Sequence, residues 1–119
     1  MSKIEAKQAR RERRKKHIRK SIYGTPDKPR MTVFRSNRRI YVQVIDDSVG
    51  NTIASASNLE KAQKSLKLNK ADAEKIGVLI GERLKEKKVE TVVFDRNGYL
   101  YHGIVKAVAE GARKSGIRF

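Results

Sequence analysis

Residues 31–47, which read MTVFRSNRRIYVQVIDD, determine the fold because they contain two strand patterns separated by a polar turn. Ile40, Val42 and Val44 alternate with polar or aromatic residues, so the apolar side chains share one face of a strand. The preceding MTVFRS forms the other strand, and a turn at Asn37 joins the two. The stretch therefore predicts an antiparallel hairpin with one apolar face.

The chain after this hairpin predicts a third strand. Val49, Gly50 and Asn51 have the composition of a turn, and TIASAS at 52–57 alternates with small residues. The three strands form an antiparallel meander.

A helix is predicted over roughly residues 70–87. Asn69 can cap its first turn, and Asp72 stands three residues later, as in a capping box. The apolar residues of one face are Ile76, Leu79, Ile80 and Leu84.

A short buried strand, TVVF at 91–94, follows and is bounded by Asp95. A second helix is predicted after it, ending near Gly116. Its apolar stripe consists of Ile104, Val105, Val108, Ala109 and Ala112.

Strand, helix and strand in this order imply a parallel crossover, so the fold class is α/β. A mixed sheet of order 3-2-1-4 is expected, with the fourth strand parallel to the first. This order places the turn at residues 35–39 beside the loop at residues 95–103, at the sheet edge where ligands of open α/β sheets bind. The alternative is a local hairpin in which Asn97 and Gly98 form a type I′ turn.

The composition indicates a polyanionic partner. The chain has 119 residues, 29 Lys and Arg, and 13 Asp and Glu, which gives a formal charge of +16. Nucleic acid, an anionic membrane surface and an acidic protein could each fit. No run of 18 apolar residues is present, and there is no cysteine for a disulfide or a thiolate metal site, so we expect a soluble, cytosolic protein.

The charge is concentrated in the first 30 residues, which hold 12 Lys and Arg against 3 acidic residues. This basic arm has too few apolar residues for a helical face that packing could hold, although its residues are fair helix formers. We expect it to be disordered or frayed alone and to order on RNA. An organelle transit peptide is an alternative, but its glutamates argue against one. The prolines of TPDKPR at 25–30 mark a linker, and residues 31–119 form a single domain.

Two polar clusters are candidate RNA-binding loops. The first, at residues 35–39, has three arginines in five positions and is followed by Tyr41 and Gln43. Arginine binds phosphate through two parallel hydrogen bonds, and a tyrosine ring stacks on an unpaired base. The second, at residues 95–103, combines cationic, amide and aromatic groups with glycines that allow close approach of an RNA backbone. The alternative for the first cluster is an ordinary solvated hairpin turn. The alternative for the second is that Tyr99 and Tyr101 are packing residues and that His102 makes a local hydrogen bond.

An enzymatic site is the least supported interpretation. Asp46, Asp47, Asp95, His17 and His102 are the available acid, base or ligand groups, and none has a recognisable catalytic spacing. A magnesium-binding carboxylate cluster remains conceivable at the strand ends.

Three stretches together resemble a known family: FRSNRRIYVQVIDD, IASAS and VVFDRNGYLYHGIVKAVAEGAR, after a basic arm ending in KPR. The chain is similar over essentially its whole length to the bacterial large-subunit ribosomal protein L-eighteen family. The resemblance implies a ribonuclease-H-like topology without catalysis, metal or cofactor. It also implies binding of 5S rRNA and its attachment to 23S rRNA in the central protuberance, among neighbouring large-subunit proteins on cytoplasmic ribosomes. Neither a membrane nor DNA is an expected partner.

Charge, loop position and the resemblance together predict one set of RNA-binding residues. They are Arg10, Arg11, Arg13, Arg14, Lys15, Lys16, His17, Arg19, Lys20, Arg30, Arg35, Ser36, Asn37, Arg38, Arg39, Tyr41, Gln43, Arg96, Asn97, Gly98, Tyr99, Tyr101, His102, Gly103 and Lys106.

Overall fold

The computed structural model describes residues 2–36, 38–60 and 67–119. Its four strands are β1 (Arg30–Arg35), β2 (Ile40–Asp46), β3 (Asn51–Ser57) and β4 (Val93–Asp95). They form one sheet in the order β3-β2-β1-β4. The first three strands are antiparallel neighbours, and β4 pairs with β1 in parallel. The predicted α/β class, strand order and strand directions are confirmed.

One face of the sheet carries the core. Met31 and Val33 of β1 and Val42 and Val44 of β2 are fully buried, whereas Gln43 between the β2 positions is only half-buried. This alternation places the buried set on one side, because successive side chains of a strand point to opposite faces. The core side is covered by α2 (Lys70–Glu86) and α3 (Gly103–Lys114), which supply Ile76, Ile80, Leu84 and Val108.

The two covering helices begin and end close to their predicted limits. The Asn69 side chain accepts the Asp72 N–H at 2.8 Å, which confirms the predicted cap of α2. Asp72 does not close a capping box, because its carboxylate accepts the Lys67 N–H at 2.8 Å. Gly116, at φ +103°, follows α3 in the left-handed region as predicted for a helix stop.

The hairpin alternative for residues 95–103 is wrong, although its turn forms. Asn97 and Gly98 have φ values of 55° and 77°, and the Tyr99 N–H donates to the Arg96 carbonyl at 3.0 Å. The following residues do not pair with β4, since β4 lies against β1. The predicted fourth strand was also shifted, because Asp95 belongs to the strand and is fully buried.

The basic arm contains a helix, α1 (Lys3–Arg19), with Ser2 and Glu5 forming a capping box. None of its residues is buried, which confirms the predicted lack of an apolar face. Arginine side chains attach this helix to the domain by polar contacts and not by apolar packing. That RNA orders the arm stays a prediction.

None of the helices in the described part of the chain has the length and apolarity required to cross a bilayer.

Candidate nucleic-acid interface

The two predicted loops meet at Tyr99. Its hydroxyl donates to the Arg35 carbonyl at 3.0 Å and accepts the Arg35 N–H at 3.4 Å. Both bonds follow from the parallel pairing of β1 and β4, which brings the carboxyl ends of these strands to one edge. The predicted proximity of the two loops is confirmed.

Helix α1 lies directly on the turn between β4 and α3. The Nε atoms of Arg11 and Arg14 donate to the carbonyl oxygens of Asn97 and Gly98, at 3.2 and 2.9 Å. The Arg11 guanidinium also lies 4.1 Å above the centre of the Tyr99 ring, a distance suited to a cation–π contact. The arm and the loops therefore form one surface.

Close approach of the arm requires glycine at position 98. A Cβ on Gly98 would lie 2.5 Å from the Arg11 carbonyl oxygen, and its φ of +77° already disfavours other residues. This glycine was predicted to allow the approach of an RNA backbone, whereas in the structure the backbone of α1 occupies that position.

A chain of ion pairs fixes the end of the arm to the sheet. Arg19 and Arg30 both bind the Asp95 carboxylate, at 3.2 and 2.8 Å, and Arg30 also binds both oxygens of Asp47. The Asp95 side chain is fully buried. Hydrogen bonding to Arg30 lowers the pKa of Asp47 below its ordinary value, and the Gly24 N–H acts in the same direction.

Arg30 and Asn97, both predicted to bind RNA, are mainly used inside the protein. The Arg30 side chain is only 12% exposed. Asn97 is buried, accepts from Arg19 at 3.3 Å and donates its N–H to Asp95 at 2.8 Å. Arg96 likewise binds the Tyr99 carbonyl at 2.7 Å and closes the turn. These residues support the interface through contacts within the protein.

The remaining cationic groups point outward. The predicted residues that are exposed on α1, at its C-cap, on the first loop and on α3 are Arg10, Arg13, Lys16, His17, Arg19, Lys20, Arg35, Arg38, Arg39 and Lys106. Of these, Arg19 is also paired with Asp95. Ser36 is also exposed, and Asn37 lies outside the described residues. Many of these positions are free to follow a phosphate backbone.

A cleft of about 440 Å³ separates α1 from the two loops. Its cationic lining comes from Lys7, Arg11, Arg14 and Arg35, with Tyr99 and His102 beside them. Lys7 was not among the predicted site residues, although it lies one helical turn before Arg11 and that spacing places both on one face of a helix.

The N-terminus of α3 adds a further polar edge. His102 is its N-cap residue and makes no side-chain capping bond, so its imidazole is exposed beside the first free N–H groups. Gly103 has a φ of +58° and nothing within 4 Å of a Cβ position. Tyr101 makes two contacts within the protein: its hydroxyl accepts from Arg113 at 3.1 Å, and its ring packs edge-on against Phe94.

The carboxylates considered for magnesium are occupied by other partners. Asp47 and Asp95 share Arg30, and Asp46 accepts from the Ser48 N–H and hydroxyl at 3.0 and 2.6 Å. Within residues 2–36, 38–60 and 67–119, no group of three His, Cys, Asp or Glu residues could hold a metal ion.

A family model described as ribosomal L18 of archaea, bacteria, mitochondria and chloroplast matches residues 5–119, which include the arm, both loops and the whole sheet. The chain belongs to the ribosomal L18 family. The resemblance stated from the sequence is confirmed, and the chain is a member of a family of structural ribosomal proteins.

Relatives of the family cover nearly the whole chain. The large ribosomal subunit protein uL18 of Treponema denticola is 65% identical over 113 residues, covering 95% of this chain and 94% of the relative. That of Treponema pallidum is 58% identical over 119 residues, covering 100% and 99%. That of Thermotoga petrophila is 51% identical over 124 residues and fully covers both chains.

Proposed function

We propose that this L18-family chain is a structural component of the large ribosomal subunit that binds 5S rRNA and helps attach it to 23S rRNA in the central protuberance. The observation that carries the proposal is the docking of the basic arm against the turn at Asn97 and Gly98, beside the loop at Arg35. This docking joins three cationic elements into one surface. The site of action is then the cytoplasmic ribosome, with neighbouring large-subunit proteins as further partners.

We expect contacts with phosphate groups to supply most of the attraction between the protein and RNA. The outward face of α1 presents Arg10, Arg13 and Lys16 to solvent, Lys20 is exposed at its C-cap, and α1 contains only two acidic residues. Each cation that neutralises a phosphate releases a condensed counterion, so affinity falls as salt rises.

The loops supply selectivity. Double-stranded RNA is recognised mainly by shape, whereas unpaired bases are recognised by stacking and by hydrogen bonds to their edges. The ring of Tyr99 is held by Arg35 and Arg11, so the loop keeps one shape before RNA arrives. A preformed surface loses less conformational entropy on binding than a mobile one.

Competition between RNAs tests this proposal. The full chain is titrated with labelled 5S rRNA at several salt concentrations, with unlabelled transfer RNA as competitor. We expect preference for 5S rRNA and a steep, linear fall of log affinity with log salt. Equal competition by transfer RNA would instead indicate a general RNA-binding module, and a flat salt dependence would contradict the electrostatic account.

A further inference from the structure

The face of the sheet opposite the core contains a second cleft, of about 260 Å³, between the sheet and the end of α1. Its lining includes Thr32, Phe34, Tyr41 and Gln43 from the sheet, and Lys15 and Arg19 from α1. The volume lies just below the range of about 300 to 1,000 Å³ typical of pockets for drug-sized ligands. A smaller, flat group is the appropriate size of occupant.

The strand register places aromatic and hydrogen-bonding groups next to each other in this cleft. Phe34 is paired with Tyr41, and Thr32 is paired with Gln43. Directly opposed residues of antiparallel strands project to the same face, so the rings lie beside the amide and the hydroxyl. Phe34 is 49% exposed although it lies within a sheet, and the Gln43 amide donates to the Tyr41 hydroxyl at 3.4 Å.

Thr32 provides an independent sign that this cleft takes a ligand. Its Oγ1 is buried and has no hydrogen-bond partner, the sole buried side-chain atom of this kind among the described residues. A buried hydroxyl without a partner is unfavourable, and such groups in native structures call for an explanation. Thr32 lines the cleft, so this hydroxyl belongs to a residue that an occupant of the cleft would contact.

We propose that this cleft binds a single unpaired nucleobase of the RNA, a specificity site that rests on the proposed RNA-binding function. The base stacks on the ring of Tyr41, beside the exposed ring of Phe34, and its edge forms hydrogen bonds with Gln43 and Thr32. Lys15, at the mouth of the cleft, binds the phosphate of the same nucleotide.

The charges around the cleft favour a base over an isolated phosphate. Arg19 and Arg30 are already paired with Asp95 and Asp47, which leaves Lys15 as the lining cation with no carboxylate in ion-pair distance among the described residues. A phosphate site contains several unpaired cations or backbone N–H groups. This cleft instead contains the rings of Phe34 and Tyr41, the amide of Gln43 and the hydroxyl of Thr32.

A nucleotide titration tests the cleft without 5S rRNA. NMR spectra of the full chain are recorded with AMP, GMP, CMP and UMP, and with ribose 5-phosphate as the probe that lacks a base. We expect at least one nucleotide to shift the resonances of Thr32, Tyr41 and Gln43 saturably, and ribose 5-phosphate to leave them in place. If none of the nucleotides does so, or if ribose 5-phosphate shifts them equally, the base site is wrong, while preference for 5S rRNA over transfer RNA still decides the proposed function separately.

Matched variants then relate the cleft to 5S rRNA. Tyr41→Leu should weaken 5S binding about tenfold because a stacking surface is lost. Tyr23→Leu, which removes an exposed tyrosine outside the cleft, should bind as wild type. Thr32→Val should weaken binding about threefold without lowering the unfolding midpoint, since the hydroxyl has no internal partner to lose, and Thr52→Val on β3 is its control. Binding of Tyr41→Leu and Thr32→Val within experimental error of their controls would overturn the proposal.

Discussion

Arg30 donates to the fully buried carboxylate of Asp95 at 2.8 Å, across the parallel pair formed by β1 and β4. The same carboxylate accepts from Arg19 at the end of α1 and from the N–H of Asn97 in the turn. One buried side chain therefore fixes the arm, the sheet and the turn relative to one another.

Replacing Arg30 by alanine should destabilise the protein by about 3 kcal/mol, because removing one partner leaves a buried carboxylate poorly compensated. Arg30→Lys keeps the charge but cannot bind Asp47 and Asp95 with the same planar geometry, so an intermediate loss is expected. Urea unfolding of wild type, Arg30→Ala and Arg30→Lys measures the loss of stability in each variant. An unchanged midpoint for Arg30→Ala would show that the network does not contribute to stability.

The pKa shift of Asp47 predicts an acid-sensitive part of the stability. Because Arg30 holds the folded-state pKa of Asp47 below its ordinary value of 3.8, this stabilisation is fully present above that value and is lost as pH falls through the folded-state pKa. Asp47→Asn should be less stable than wild type at pH 7, and the difference should narrow toward pH ~2. Unfolding free energies of wild type and Asp47→Asn, measured from pH 7 to pH ~2, show whether the difference in stability narrows as expected. Asp27→Asn, at an exposed position, controls for the loss of one negative charge.

Gly98→Ala should detach α1 from the domain, since its Cβ would collide with the Arg11 backbone. Gly50→Ala is a matched control, because Gly50 has a similar φ of +64° but nothing within 4 Å of its Cβ position. Both variants should lose about 1 kcal/mol through backbone strain. Hydrogen exchange over residues 3–19 should increase in Gly98→Ala alone. Equal exchange in the two variants would mean that the contact with Arg11 does not hold the arm.

Deleting residues 2–20 should leave the domain folded and weaken RNA binding severely. All buried hydrophobic core residues lie between Met31 and Ile117, so the deletion removes none of them. It must end before Gly24, whose N–H binds Asp47 at 2.8 Å. Circular dichroism measures the fold and a binding assay the affinity. RNA affinity equal to that of the full chain would contradict a role for the arm.

Combined replacement of Arg35, Arg38 and Arg39 by alanine should reduce 5S rRNA affinity and lower the salt slope without unfolding the chain. All three side chains are exposed, and Tyr99 contacts only the backbone of Arg35, so the loop contact survives. Salt-dependent titration tests the slope. Replacing the exposed Lys85, Lys87 and Lys88 around the C-terminal end of α2 removes the same charge and should have a smaller effect, because none of them lines the cleft beside the two loops.

The fold was predictable because its signals are local and mutually consistent. Alternation around Val42 and Val44 specified the core face, and Asn69 specified the start of α2, both as observed. The two loops could be placed together because a fourth strand that pairs with the first in parallel has its carboxyl end at the same edge of the sheet, and β4 does pair with β1 in this way. The candidate site was less predictable, because charge identifies cations without showing which of them are already paired.

Local patterns were enough to predict the strands, the covering helices and the cationic character of the arm, since periodicity, caps and charge are properties of neighbouring residues. The folded chain was needed to show that Arg11 and Arg14 hold α1 on the turn at Asn97 and Gly98, that Arg30 pairs with Asp47 and Asp95, and that the Thr32 hydroxyl has no partner. The physical reason is that polar pairing between distant residues depends on the position of each group in the folded chain, and no local pattern encodes that position.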